Sequence, residues 1–158
     1  MPLAAVGKLI EDVVLSGIVA AGFAVLFNVP PRLLLACVLA GAAGRVVRDL
    51  VMGGGLNIEP ATLAGAVVVG LMGEYFARRY TAPALIFTVS GAIPMVPGAF
   101  AYRAMLGLIR VSNASGDTGV SLLSEAAINL TKTGIILAAI AIGITMPVLL
   151  FRRRKPIV

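Results

Sequence analysis

Two prolines three residues apart, in the run Ser90-Gly91-Ala92-Ile93-Pro94-Met95-Val96-Pro97-Gly98, carry the strongest chemical signal in this sequence. Each lacks a backbone N–H and clashes with a carbonyl one turn earlier, so a regular helix cannot run through both. In lipid, backbone freed in this way survives only where protein or a water-filled cavity satisfies it. Half-helix ends and freed carbonyls at such a break can face a solute. The plainer reading is a kink that serves packing.

A second set of residues is basic. Arg45 lies roughly 20 Å along a helix that starts near Leu33, still within a slab of apolar residues. Arg48 and Asp49 follow within one turn, and Arg45 with Asp49, four apart, share one helix face. Arg103 lies nine residues past Pro94, next to Tyr102. An ionisable group inside a membrane is costly and should face the interior of a bundle. Two or three arginines around a broken helix suit a carboxylate, which guanidinium binds through two parallel hydrogen bonds. The alternative for Arg48 and Arg103 is that their long side chains snorkel to the outer interface. Tyr102 reads equally as a pore residue or an interfacial anchor.

The third feature is the stripe Ala66, Gly70, Glu74, Arg78, in which four-residue spacing stacks every member on one side of a helix. Glu74 before Arg78 is the favourable order for an ion pair, and the small residues above them admit a close helix neighbour. Glu74 is therefore a structural partner of Arg78 or a carrier of protons in ion coupling. Gly53-Gly54-Gly55 lacks the Lys-Ser/Thr of a phosphate loop and reads as a turn. Asn129, Thr131 and Lys132 read as the polar opening of the last helix, and Asn113-Ala114-Ser115 is a formal glycosylation acceptor.

The elements that hold these residues follow from composition. The chain has 158 residues, 59% hydrophobic and 13% charged, with a single Cys, no His and no Trp. A mean hydropathy of +1.03 leaves too little polar surface to cover a soluble domain. No zinc site, internal disulfide, Ser–His or Cys–His pair can be assembled, so neither a metal nor another cofactor is expected, nor any catalytic residue. The net charge of +6 is scattered among apolar segments without interleaved aromatics, which argues for a cytoplasmic membrane face and against nucleic acid. Lys8, Glu11 and Asp12 precede an apolar run with no small-residue cleavage site, so that run reads as a mature span.

The reading is an all-α, polytopic membrane bundle, 1–158 as one integral membrane domain. About five transmembrane helices fall near 13–31, 33–52, 60–79, 83–108 and 126–151, the fourth broken at Pro94–Pro97, with a polar loop near 111–124. The basic cluster Arg152-Arg153-Arg154-Lys155 puts the C-terminus in the cytoplasm.

The order of motifs resembles one family. It comprises the end of the second helix, Gly41-Ala-Ala-Gly44-Arg45-x-x-Arg48, then Gly70-x-x-Gly73 with Ala77-Arg78-Arg79 and Pro83, then Ser90-Gly-Ala-Ile-Pro94-Met-Val-Pro97-Gly98-x-x-x-Tyr102-Arg103. Over roughly residues 10–150 these are similar to the threonine/serine exporter family, and by length to the small subunit of its split, two-component form. The resemblance implies a larger membrane subunit as partner and a bacterial inner-membrane location. It also implies a small carboxylate substrate, threonine or serine or a dicarboxylate such as succinate, exported at the expense of the proton-motive force. Motif and physics together nominate Arg45, Arg48, Ser90, Pro94, Pro97, Gly98, Tyr102 and Arg103 for substrate binding or translocation, and Glu74 with Arg78 for ion coupling or structure. Two rival readings are a non-transporting membrane scaffold and a homo-oligomeric channel. An enzyme is not expected, because no nucleophile–base pair or ligand cluster is present.

Overall fold

The computed structural model describes residues 3–112 and 116–151, and these fold almost entirely into helix. Six α-helices follow in order: α1 Leu3–Leu26, α2 Pro31–Gly53, α3 Ile58–Tyr80, α4 Ala84–Ala92, α5 Gly98–Val111 and α6 Asp117–Phe151, with a 3-10 turn at Ile93–Met95 between α4 and α5. The all-α class expected from composition is what forms. Two of the sequence features, Asn113-Ala114-Ser115 and the basic cluster 152–155, lie outside the described residues.

Local chemistry sets most boundaries. Pro31 stands at the first position of α2, where its missing N–H costs nothing. The helix ends at Gly53, and the turn beyond it uses Gly55 at φ +92°, a left-handed conformation suited to glycine. Glu59 in the first turn of α3 and Arg78 and Arg79 in its last turn complement the helix dipole. Thr81 closes it in the left-handed region, its backbone N–H donating to Ala77 O. The break expected at Pro94–Pro97 is present, as the short 3-10 turn followed by a fresh helix start at Gly98.

Two boundaries differ from expectation. Helix α1 starts at Leu3, about ten residues before the apolar run, because Lys8, Glu11 and Asp12 lie within the helix and not ahead of it. Helix α6 starts at Asp117, so most of the expected loop at 111–124 is helical; Ser121 bonds back to Thr118 O within the same helix. Asn129, Thr131 and Lys132 consequently lie in the interior of α6 and do not open it. By length and apolarity α1, α3 and α6 can each cross a membrane, and α4 with α5 counts as a fourth if the broken pair is one span. Helix α2 is as long as α3 but carries Arg45, Arg48 and Asp49 near its C-terminal end.

The chain divides into two compact units, one of the described residues up to Met95 and from Ala139 onward, the other Val96–Ala138. In the first, α2 is the hub: α1, α3 and α4 all pack on it, around Leu33, Cys37, Ala77 and Phe87. Contacts are close because the facing residues are small. Gly65 of α3 lies directly over α2, where a Cβ would sit 2.6 Å from Gly44 O and 3.3 Å from Arg48 Cβ. Ala66 and Gly70 meet Gly143 and Pro147 of α6, the close neighbour their stripe predicted. In the second unit, α5 and the first part of α6 meet at Gly107 and Ala126, and Lys132 Nζ stands 5.7 Å from the centre of the Phe100 ring.

Overpacking at Gly65 should be felt. Gly65→Ala is expected to lower the thermal midpoint of the detergent-solubilised protein, at a cost of about 1–3 kcal/mol. Gly22→Ala, on a face of α1 with open space, should leave it unchanged. Equal midpoints for the two variants would show that α2 and α3 separate easily.

Candidate functional site

Asp12, Arg45 and Asp49 converge where α1 meets α2. Arg45 Nε donates to Asp49 Oδ2 at 2.9 Å, the one-turn pair legible in the sequence. Its Nη2 reaches across to Asp12 Oδ2 of α1 at 3.3 Å. One guanidinium thus stands between two carboxylates. Asp49 is held more deeply, with 12% of its side chain exposed against 28% for Asp12.

Two cavities adjoin this cluster. One, of about 370 Å³, extends past Lys8, Asp49, Leu50 and Gly53. The other, of about 360 Å³, extends past Ser16, Phe23, Ile93 and Pro94, so the broken helix forms part of its wall. Asp12 and Arg45 line both.

Arg48 takes a different role. It is buried, 7% exposed, and does not snorkel. Its Nη1 donates to Met95 O at 3.2 Å. Met95 ends the 3-10 turn, where a carbonyl has lost the donor that a continuing helix would supply. Arg48 therefore holds the broken backbone in place from α2. Its Nε is buried and finds no hydrogen-bond acceptor among the described residues.

The other nominated residues fall as follows. Ser90 is fully buried on α4 and lines neither cavity described above. Pro94 lines the second cavity, half-buried. In the second unit, Pro97 is buried just ahead of α5, while Gly98, Tyr102 and Arg103 are exposed on α5. Glu74 is buried and its Oε1 accepts from Arg78 Nε at 3.2 Å, the ion pair expected from their spacing. Arg78 also donates through Nη2 to Phe151 O near the end of α6. Gly65 lies against Arg48 whereas Gly73, eight residues or about 12 Å further along α3, lies against Thr88 of α4. Glu74 and Arg48 therefore mark separate levels of the bundle.

Asp12 is the participant that sequence reasoning missed. A signal was present: Lys8, Asp12 and Ser16 recur every four residues, one stripe if the helix already runs through them. The charges there suggested polar chain ahead of a span, which hid the stripe.

Residues 12–150 match the family model described as threonine/serine exporter, ThrE. The chain belongs to the threonine/serine exporter family. The match covers the whole of the Arg45 cluster, the broken helix and the Glu74–Arg78 pair. A curated relative from Haemophilus influenzae, named only as an uncharacterized protein, is 37% identical over 151 residues, which are 96% of this chain and 50% of the relative. The chain thus spans half the length of the curated relative it matches. No solved structure matches it. As a member of an exporter family with several helices long and apolar enough to cross a bilayer, the chain is a multi-pass membrane protein.

Proposed function

We propose that this threonine/serine exporter family member is one subunit of a secondary exporter. It moves a small carboxylate-bearing metabolite, threonine or serine or a dicarboxylate such as succinate, out across the bacterial inner membrane, with the proton-motive force as energy source. The observation that carries this reading is Arg45, a guanidinium lining a cavity of about 360 Å³ beside the broken helix. Asp49 and Asp12 engage two of its nitrogen atoms, and a guanidinium carries five N–H donors, so an edge remains for a substrate carboxylate. Ser16, on the same cavity wall, offers a hydroxyl for the rest of a small polar molecule. The break at Pro94 supplies backbone whose arrangement can change without unmaking a whole helix, as alternating access requires. Arg103, exposed on α5, is a second basic residue able to attract an anion.

A second polypeptide completes the carrier in this reading. The C-terminus faces the cytoplasm, and Glu74 with Arg78 serves mainly to fix α3 at that side.

The test is efflux of labelled threonine, serine and succinate from cells lacking their own exporters. The chain alone, the larger subunit alone and both together are compared. Efflux with both and with neither alone is the expected result, and it names the substrate. Efflux from this chain alone replaces the two-subunit reading with a homo-oligomer. Efflux from the larger subunit alone reduces the chain to a scaffold, and no efflux in any arm removes the substrate class.

A further inference from the structure

Between the start of α4 and the end of α6, the first unit carries an apolar groove of about 270 Å³. Pro83, Leu85 and Thr88 form one wall, and Ile144, Thr145 and Val148 the other. Both walls rest on α3. Gly73 lies against Thr88, and a Cβ at Gly70 would sit 3.0 Å from Ile144 O. Neither hydroxyl in the groove asks for a polar ligand, since Thr88 Oγ1 donates to Ala84 O and Thr145 Oγ1 to Ala141 O within their own helices. The groove runs about 8 Å along each helix, from Pro83 to Thr88 and from Ile144 to Leu149.

A guanidinium stands at one end of it. Arg78 Nη2 donates to Phe151 O, two residues beyond Leu149, while Nε donates to Glu74 Oε1 at 3.2 Å. Those bonds use two of its five N–H groups, and the side chain is 61% exposed. Arg79 beside it is exposed as well, and the four residues after Phe151 in sequence are Arg152, Arg153, Arg154 and Lys155. Helix α3 is long and apolar enough to cross a membrane and ends at Tyr80, which puts Arg78 at the level of lipid headgroups. An apolar groove open to a bilayer takes hydrocarbon, and a guanidinium at its end selects an anion joined to that hydrocarbon.

We propose that this groove is a binding site for one anionic phospholipid, with an acyl chain between α4 and α6 and the headgroup phosphate on Arg78. Arg79 adds positive charge at the same level. A headgroup that also carries a choline cation brings a charge that the two arginines repel, so phosphatidylglycerol binds in preference to phosphatidylcholine. A neighbouring protein helix fills the groove equally well but brings no anion to Arg78. Arg78 lies about 20 Å along α3 from Gly65, the residue that meets Arg48, so lipid binding stands whether or not Arg45 receives a substrate.

The full chain is purified and delipidated in a non-ionic detergent. Its thermal midpoint is read with phosphatidylglycerol, phosphatidylcholine or glycerol 3-phosphate added at equal concentration. Phosphatidylglycerol at a hundredfold excess over its dissociation constant is expected to raise the midpoint by about 5–10 °C, phosphatidylcholine much less and glycerol 3-phosphate not at all. Thr145→Phe, which puts a ring into the groove from an exposed position, should lose the phosphatidylglycerol shift while its midpoint without lipid stays at the wild-type value. Leu85→Phe, from the opposite wall, takes its place should that variant fail to accumulate. Arg78→Lys keeps a charge beside Glu74 but not the planar fork, and should weaken phosphatidylglycerol about tenfold while leaving phosphatidylcholine unchanged. No shift with phosphatidylglycerol, an equal shift with phosphatidylcholine, or a full shift in the groove-filling variants overturns the proposal. A shift reproduced by glycerol 3-phosphate also overturns it, because the phosphate then binds without the groove. Should the larger subunit raise the midpoint where phosphatidylglycerol does not, and Thr145→Phe abolish that effect, the groove belongs to a protein interface and the lipid site is wrong.

Discussion

Arg45→Gln is expected to reduce export at least a hundredfold while the protein still reaches the membrane at the wild-type level. The wild-type cluster opposes one positive charge to two negative ones, with Arg45 in contact with both carboxylates. A charge-assisted hydrogen bond contributes about 1.5–3 kcal/mol, and two parallel ones to a substrate carboxylate about twice that. Glutamine can offer one neutral donor pair in their place, a loss of about 3 kcal/mol, or two decades in binding. The same substitution leaves Asp12 and Asp49 facing each other without a cation, which could disturb folding in its own right. The double variant Arg45→Gln, Asp12→Asn answers this, because it restores the original charge balance without restoring the guanidinium. Export should remain lost in the double variant while its membrane level matches wild type. Recovery of export there would mean that Arg45 balances charge and does not receive substrate. Arg45→Lys should fall between, since an ammonium keeps the charge but cannot hold Asp12, Asp49 and a carboxylate in fixed directions.

The pattern of success and failure in reading this site from sequence has a physical cause. The Arg45–Asp49 and Glu74–Arg78 pairs were visible because both lie within one helix, where a spacing of four residues is a spatial contact. The break at Pro94 and Pro97 was visible because proline acts on its own backbone, whatever surrounds it. The Asp12–Arg45 pair was not, since it joins two helices and depends on how they pack. That packing is set by small residues such as Gly17 against Val38 and Gly41 against Ala20, whose partners no periodicity names. Arg48 shows the same limit in another form. Its position in an apolar helix indicated a functional or interfacial side chain, but its acceptor is a backbone carbonyl 47 residues away, and a carbonyl leaves no mark in a sequence. The start of α6 was misplaced because Asp117, Thr118, Ser121 and Ser124 read as loop by composition, whereas those of their hydroxyls that bond within the helix suppress the usual cost of such residues there.

The second large effect concerns the break itself, and its sign differs between stability and function. Pro94→Ala with Pro97→Ala gives residue 94 an N–H that can reach Ser90 O and residue 97 one that can reach Ile93 O, the two bonds a regular helix would make. Each proline costs about 3 kcal/mol inside a helix, so the double variant favours a continuous helix by several kcal/mol. The protein should therefore accumulate normally and melt no lower than wild type, with helical content by circular dichroism equal or higher. Export should nevertheless fall at least tenfold. A continuous helix gives the Met95 carbonyl an N–H one turn ahead and takes it from Arg48, which then keeps a buried charge with no acceptor to hold. It also removes the bend that makes Pro94 part of the cavity wall beside Arg45. A drop in both stability and export would indicate a kink needed for packing alone. Undiminished export in a well-folded double variant would detach the broken helix from transport and leave the chain as a membrane scaffold for its partner. The combination of unchanged folding and lost export is the outcome that assigns the break a part in moving the substrate.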